Sequence, residues 1–143
     1  MKLCMVRHGE TAWNAEGRVQ GQLDVPLSDT GHAQARALAR ALADEKFDVL
    51  YSSDLLRVQQ TAAPLASLLG KKPILDERLR ERHYGIFQGM TYAEAKLRLP
   101  ADYGRFKDKD PDYDFQTGES LHAFSDRVMG FVKELLEKER GRN

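Results

Sequence analysis

The chain of 143 residues sets 22 basic side chains against 22 acidic ones. That length suits one domain burying roughly two thirds of its unfolded surface, and zero formal net charge supplies no global field for nucleic acid or another polyanionic surface. One cysteine, Cys4, rules out an internal disulfide, and no run approaches the ~18 apolar residues of a membrane span.

Residues 3–6, LCMV, are apolar without alternation, the pattern of a strand covered on both faces, with Cys4 buried as a small hydrophobe. The run is shorter than the ~7 apolar residues a secretory leader requires. The chain therefore reads as a cytoplasmic protein with no membrane or nucleic-acid partner. A polar, glycine-containing stretch follows, in which Trp13 reads as an apolar anchor for a loop too long to be an ordinary connection.

Residues 28–46 read as a helix with His32, Ala35, Leu38, Ala39 and Leu42 on one face. Residues 47–53, FDVLYSS, form a second strand candidate. Ser53 or Asp54 can cap a further helix to Leu69, with Gly70 at its C′ position and Pro64 expected to kink or interrupt it.

Residues 73–76, PILD, make a third strand candidate leading into ERLRERHYG. Thr91 and Glu94 have capping-box spacing for a short helix ended by Pro100. Residues 101–118 are polar and rich in turn formers, hence a surface loop. From Ser120 a last helix carries Leu121, Phe124, Val128, Phe131, Val132, Leu135 and Leu136 on one face. Strands alternating with helices predict a single α/β domain, three layers deep, with a mostly parallel central sheet.

Ligands in such folds bind at the carboxyl ends of the strands. Arg7 and His8 end the first strand, Ser52 and Ser53 the second with Arg57 one helical turn on, and Arg78, Arg80, Glu81, Arg82 and His83 follow the third. Arginine's planar fork matches phosphate bidentately, so a fixed pair of these arginines would make a cradle for a tetrahedral anion. A neutral imidazole beside it can attack phosphorus, with flanking arginines disfavouring imidazolium and a backbone carbonyl near Gly9 fixing the tautomer. Glu81 is the residue to protonate the leaving alkoxide and then activate water. His32 and His122 fit helix surfaces and His83 a loop. No metal-ligand cluster is present, so neither a metal nor another cofactor is expected.

These residues resemble the histidine phosphatase superfamily, which includes the cofactor-dependent phosphoglycerate mutases. LCMVRHGETAWN is similar to the family's opening signature, and PLSDTGHAQA, YSSDLLRVQQTA, LRERHYGIFQG and TGESL follow in its order. The resemblance implies a phosphoglycerate mutase-like fold, with His8 as phosphorylated nucleophile, Arg7 and Arg57 as phosphate ligands, Glu81 as proton donor, and Asn14, Gln20, Gly21 and Tyr84 at the substrate. It implies metal-independent hydrolysis of a small phosphorylated metabolite.

A mutase is the alternative, since Tyr84 lies in a mutase-like ERHYGIFQG. The interval from Glu81 to Gly118 is short, however, as in the phosphatases, and Lys96, Arg98, Arg105, Lys107 and Lys109 interleave with aspartates like a solvated face. The family's second catalytic histidine, in a T-H-G-like motif, has no counterpart here. The chain thus reads as C-terminally incomplete or truncated, which leaves two further expectations. One is an open sheet edge through which copies could associate. The other, a third functional reading, is a phosphoester-binding fragment without turnover.

Overall fold

The computed structural model describes residues 2–141. Its fold is mixed α/β and rich in helix, with a parallel sheet of two strands: β1 (Tyr51–Ser52) pairs with β2 (Ile74–Leu75). Both lie inside the two later strand candidates and are shorter than them.

The strand expected at 3–6 does not form. Leu3, Met5 and Val6 are 51%, 86% and 45% exposed, and Cys4, expected as buried filler, is exposed too. An apolar run becomes a strand only where a neighbour pairs its edge and layers cover its faces, and residues 3–6 pair with nothing among the described residues. They form one wall of an apolar cleft of about 390 Å³, whose other walls include Leu38, Val58, Leu65, Val128, Phe131 and Leu135.

A single helical turn, α1 (Ala12–Ala15), interrupts the loop after residue 10 and is closed by a capping box between Thr11 and Asn14. α2 (Asp29–Ala41) starts where expected, with the Ser28 hydroxyl accepting from the Gly31 amide at 3.1 Å, and stops short of Lys46. It buries Ala35 and Ala39 and packs against α3 (Leu56–Leu68).

The cap of α3 is neither Ser53 nor Asp54. Asp24, distant in sequence, accepts from the Leu56 amide at 2.6 Å, while Asp54 is drawn into an ion pair with Arg80. α3 runs without a break through Pro64, and only the hydrogen bond that residue's missing donor would have made is lost. Its C-terminus is a Schellman motif: Gly70 donates to the Ser67 carbonyl at 3.2 Å and Lys71 to that of Ala66 at 2.9 Å.

Beyond β2 come two 3₁₀ turns, Glu77–Leu79 and Gly85–Phe87. α4 (Tyr92–Arg98) carries the expected Thr91–Glu94 capping box. Pro100 ends it and also opens α5 (Pro100–Lys107), a helix that lies where a surface loop was expected. Proline's fixed φ suits the first turn of a helix, so one residue serves both purposes. α6 (Leu121–Lys138) begins at the Ser120 cap, buries Phe131 and Leu135, and leaves Leu136 on its expected apolar face 46% exposed.

The rest of the expected loop is not superficial either. Tyr113 and Phe115 are 2% and 0% exposed and pack with Phe87, Ala95 and Val19 into the hydrophobic core. Phe115 lies 5.1 Å from the Phe87 ring and 4.6 Å from that of Tyr113, with the Arg82 guanidinium 4.7 Å above its face. It takes φ 57°, a region uncommon for a bulky residue, so its packing outweighs its backbone strain. The core hinges on this ring: Phe115→Ala should cost about 3–5 kcal/mol, measured as a fall in urea unfolding midpoint with the slope unchanged.

Candidate active site

His8 is held by groups that flank it. Next to it, Gly9 donates its amide to the Thr61 hydroxyl on α3 at 3.0 Å, and that hydroxyl donates to the Arg57 carbonyl at 2.7 Å. A Cβ on Gly9 would stand 2.7 Å from the Gly31 carbonyl oxygen, so the turn approaches α2 as only glycine allows. From the other side, the Ser28 amide donates to the Glu10 carbonyl at 2.9 Å and its hydroxyl to the Glu10 carboxylate at 2.9 Å. The His8 ring is thereby placed although no strand leads into it.

The His8 Nδ1 lies 2.7 Å from the Gly9 carbonyl oxygen, as the sequence led us to expect. A carbonyl only accepts, so Nδ1 carries the hydrogen and Nε2 keeps its lone pair. Burial is the main cause that pushes the ring's pKa below its usual value, aided by the like charges of Arg57 and Arg7. The Gly9 hydrogen bond and the charge of Glu81 act in the opposite direction without winning. His8, Arg7, Arg57 and Glu81 are therefore within electrostatic reach of one another.

Arg57 is 1% exposed, on the first turn of α3. Its fork is clamped by loop carbonyls, Leu23 at 2.9 Å and Gly21 at 2.7 Å, yet its Nε is buried with no acceptor among the described residues. Burial lowers its pKa, opposed by Glu81 and Asp24. The guanidinium thus has its terminal nitrogens taken by loop carbonyls and its Nε enclosed by the fold. Arg7, by contrast, is exposed.

Glu81 is exposed and follows the first 3₁₀ turn. Its Oε1 accepts from the Arg82 amide at 2.7 Å, and its backbone carbonyl accepts from Gln22 at 3.1 Å and Arg127 at 3.3 Å. Arg80 pairs with Asp54, tying the stretch after β2 to the one after β1. The approach of the second and third strand ends thus rests on this ion pair as well as on the sheet.

The residues that resemblance alone assigned to substrate fall into different settings. Gly21 has φ 53° and gives its carbonyl to Arg57. Gln20 is 8% exposed, with an Oε1 that meets no partner among the described residues. Asn14 accepts from the Thr11 amide at 3.0 Å and so has a capping duty the sequence reading did not include. Tyr84 packs edge-on against Phe115 at 5.1 Å. Burial first, and then the charge of Glu81, push its phenol up to about 12.

Sequence reasoning passed over Thr61, Gln22, Glu119 and Arg127. Thr61 sits one helical turn beyond Arg57, the spacing that lets its hydroxyl reach back to that residue's carbonyl, and Glu119 lies in the TGESL motif without an assigned role. Among the described residues no group of three or more His, Cys, Asp and Glu could hold a metal ion, and no helix is long and apolar enough to cross a membrane. The assembled parts suit charge neutralisation of a tetrahedral anion beside a nucleophilic nitrogen.

Known proteins resemble this chain over nearly all of its length. The chain is 43% identical over 143 residues to phosphoglycerate mutase-like protein 4 of Arabidopsis thaliana, covering 98% of this chain and 62% of that protein. It is 39% identical over 138 residues to phosphoserine phosphatase 1 of Hydrogenobacter thermophilus, covering 96% of this chain and 65% of that one. A mycobacterial glucosyl-3-phosphoglycerate phosphatase solved with VO3 superposes with a TM-score of 0.84 at 36% identity, covering 93% of this chain and 66% of that one. The chain thus spans under two thirds of the length of these two curated relatives. The profile of the histidine phosphatase superfamily (branch 1) matches residues 3–143, and the chain belongs to that family.

Proposed function

We propose that this chain carries the nucleophile of a metal-independent phosphomonoesterase, acting on a small phosphorylated metabolite through a phosphohistidine at His8. The observation that carries the reading is the pairing of an imidazole with a buried guanidinium. His8 has Nδ1 committed to the Gly9 carbonyl, which leaves Nε2 its lone pair, and the charge of buried Arg57 acts on that ring.

In the first step the Nε2 lone pair attacks phosphorus. A P–N bond forms, the P–O ester bond breaks, and the departing alkoxide takes a proton from the Glu81 carboxyl. Arg57 and Arg7 offset the charge on the phosphoryl oxygens. In the second step the Glu81 carboxylate accepts a proton from water as that oxygen attacks phosphorus. The P–N bond breaks, phosphate leaves, and His8 and Glu81 return to their starting states. Relatives named as phosphoserine and glucosyl-3-phosphoglycerate phosphatases support hydrolysis over transfer.

Rapid-quench labelling from a phosphoester should give an acid-labile, base-stable phosphoprotein. His8→Ala should abolish the label and lower kcat on the order of 10⁴- to 10⁶-fold. Turnover that survives this substitution and stops with chelator would falsify the reading, and conversion of 3-phosphoglycerate to its 2-isomer without free phosphate would make the enzyme a mutase.

The pH behaviour of His8 has a definite sign. Its pKa lies below the ordinary 6.5, so the ring stays neutral and nucleophilic as pH falls past that value and is lost only lower down. NMR titration should place the His8 midpoint below 6.5. Arg7→Gln should raise it and Glu81→Gln should lower it further, because these remove a repelling and an attracting charge respectively.

A further inference from the structure

Arg127 has no part in the chemistry derived so far, yet it holds more of the Glu81 segment than any other described side chain. Projecting from α6, it is bidentate to Glu119, with Nε to Oε1 at 2.7 Å and an η nitrogen to Oε2 at 2.8 Å. Its remaining donors reach the backbone carbonyls of Arg78 at 2.8 Å, Arg80 at 3.0 Å and Glu81 at 3.3 Å. Glu119 in turn accepts from the His83 amide at 2.9 Å, and its own amide donates to the His83 carbonyl at 2.9 Å.

The peptide groups on both sides of Glu81 are thus tied to one ion pair. Burial works to raise the Glu119 carboxyl. The Arg127 hydrogen bonds and the His83 amide together outweigh it and hold the pKa below the usual range, so the pair is ionised at neutral pH. Each side chain is about one fifth exposed, at 20% and 20%. An exposed carboxyl on an irregular segment gains its position from its backbone, and a planar five-donor guanidinium is the group best able to fix three carbonyls and a carboxylate together.

We propose that Arg127 and Glu119 form a positioning pair that holds Glu81 where it can protonate the leaving group, an inference that rests on the phosphatase reading above. Neither residue touches the reacting atoms. The pair sets the backbone, and the backbone sets the acid. Substituting it should therefore slow phosphoryl transfer to His8 only where the leaving oxygen needs a proton, and should slow the later hydrolysis, which also uses Glu81, whatever the ester.

Two esters separate these cases. An alkyl phosphate such as glycerol 3-phosphate needs a proton on its leaving oxygen, whereas p-nitrophenyl phosphate expels a stable phenoxide and needs none. Arg127→Met should lower the single-turnover rate of His8 phosphorylation by the alkyl ester ~10²-fold, at the lower end of what general acid catalysis contributes, while that rate with the aryl ester falls less than ~3-fold. Arg127→Lys should recover part of the loss. Combined with Glu81→Gln, Arg127→Met should add little, as expected of groups acting on one step.

Glu119→Gln, which keeps the shape and removes the charge, provides a milder variant if Arg127→Met does not fold. It should show the same preference between esters. Equal losses of the His8 phosphorylation rate on both esters, or full additivity with Glu81→Gln, would overturn the positioning role while leaving the phosphatase reading intact. A wild-type chain that turns over neither ester overturns the phosphatase reading and this one with it.

Discussion

One buried hydroxyl joins the two halves of the site. Thr61 accepts from the amide beside His8 and donates to the carbonyl of Arg57, so the His8 turn and the buried cation are referenced to a single atom. Threonine suits this because its hydroxyl can reach a carbonyl one turn back in its own helix and still accept from outside. The absence of pairing at residues 3–6 makes the linkage more important, since no ladder of strand hydrogen bonds holds the imidazole. The packing of Gly9 on Gly31 and the Ser28–Glu10 bonds fix the same turn against α2. Position at His8 is thus a property of α2 and α3.

Order in the molecule is divided along similar lines. On one side an aromatic core of Phe87, Phe115 and Tyr113, bordered by Tyr84 and Phe106, supports the segment that carries Glu81. Edge-to-face rings at 5–6 Å add specific geometry to ordinary apolar burial. On the other side α2, α3, α6 and residues 2–6 face an apolar cleft across which few side chains meet. Catalytic geometry therefore draws its rigidity from the side with the dense core and from the α2–α3 contact.

Much of this was legible in the sequence where a local rule acts alone. Ser28, Ser120 and the Thr91–Glu94 box start their helices as local capping chemistry requires. The grouping of His8, Arg7, Arg57 and Glu81 was expected from strand ends and from the family's ordered motifs, yet no strand leads into Arg7 and His8. Failures occurred where the decisive partner is remote. LCMV has the composition of a strand, but a strand exists only as a member of a pair. Asp24 caps α3 from another loop, and Asp54, apparently ideal for that duty, is taken by Arg80. Residues 101–118 have a polar majority that hides two core aromatics, because Tyr113 and Phe115 lie on irregular backbone, in an alternation too short to mark an element among so many turn formers.

The unfilled Nε of Arg57 also bears on stability. A cation buried to 1% exposure with a donor unpaired raises the free energy of the folded state relative to the chain in water, where that donor is hydrated. An anion that occupies the donor removes this penalty only in the native state. Any group that met this donor in the native state alone would therefore stabilise the fold by mass action, because the unfolded chain has no buried donor to satisfy.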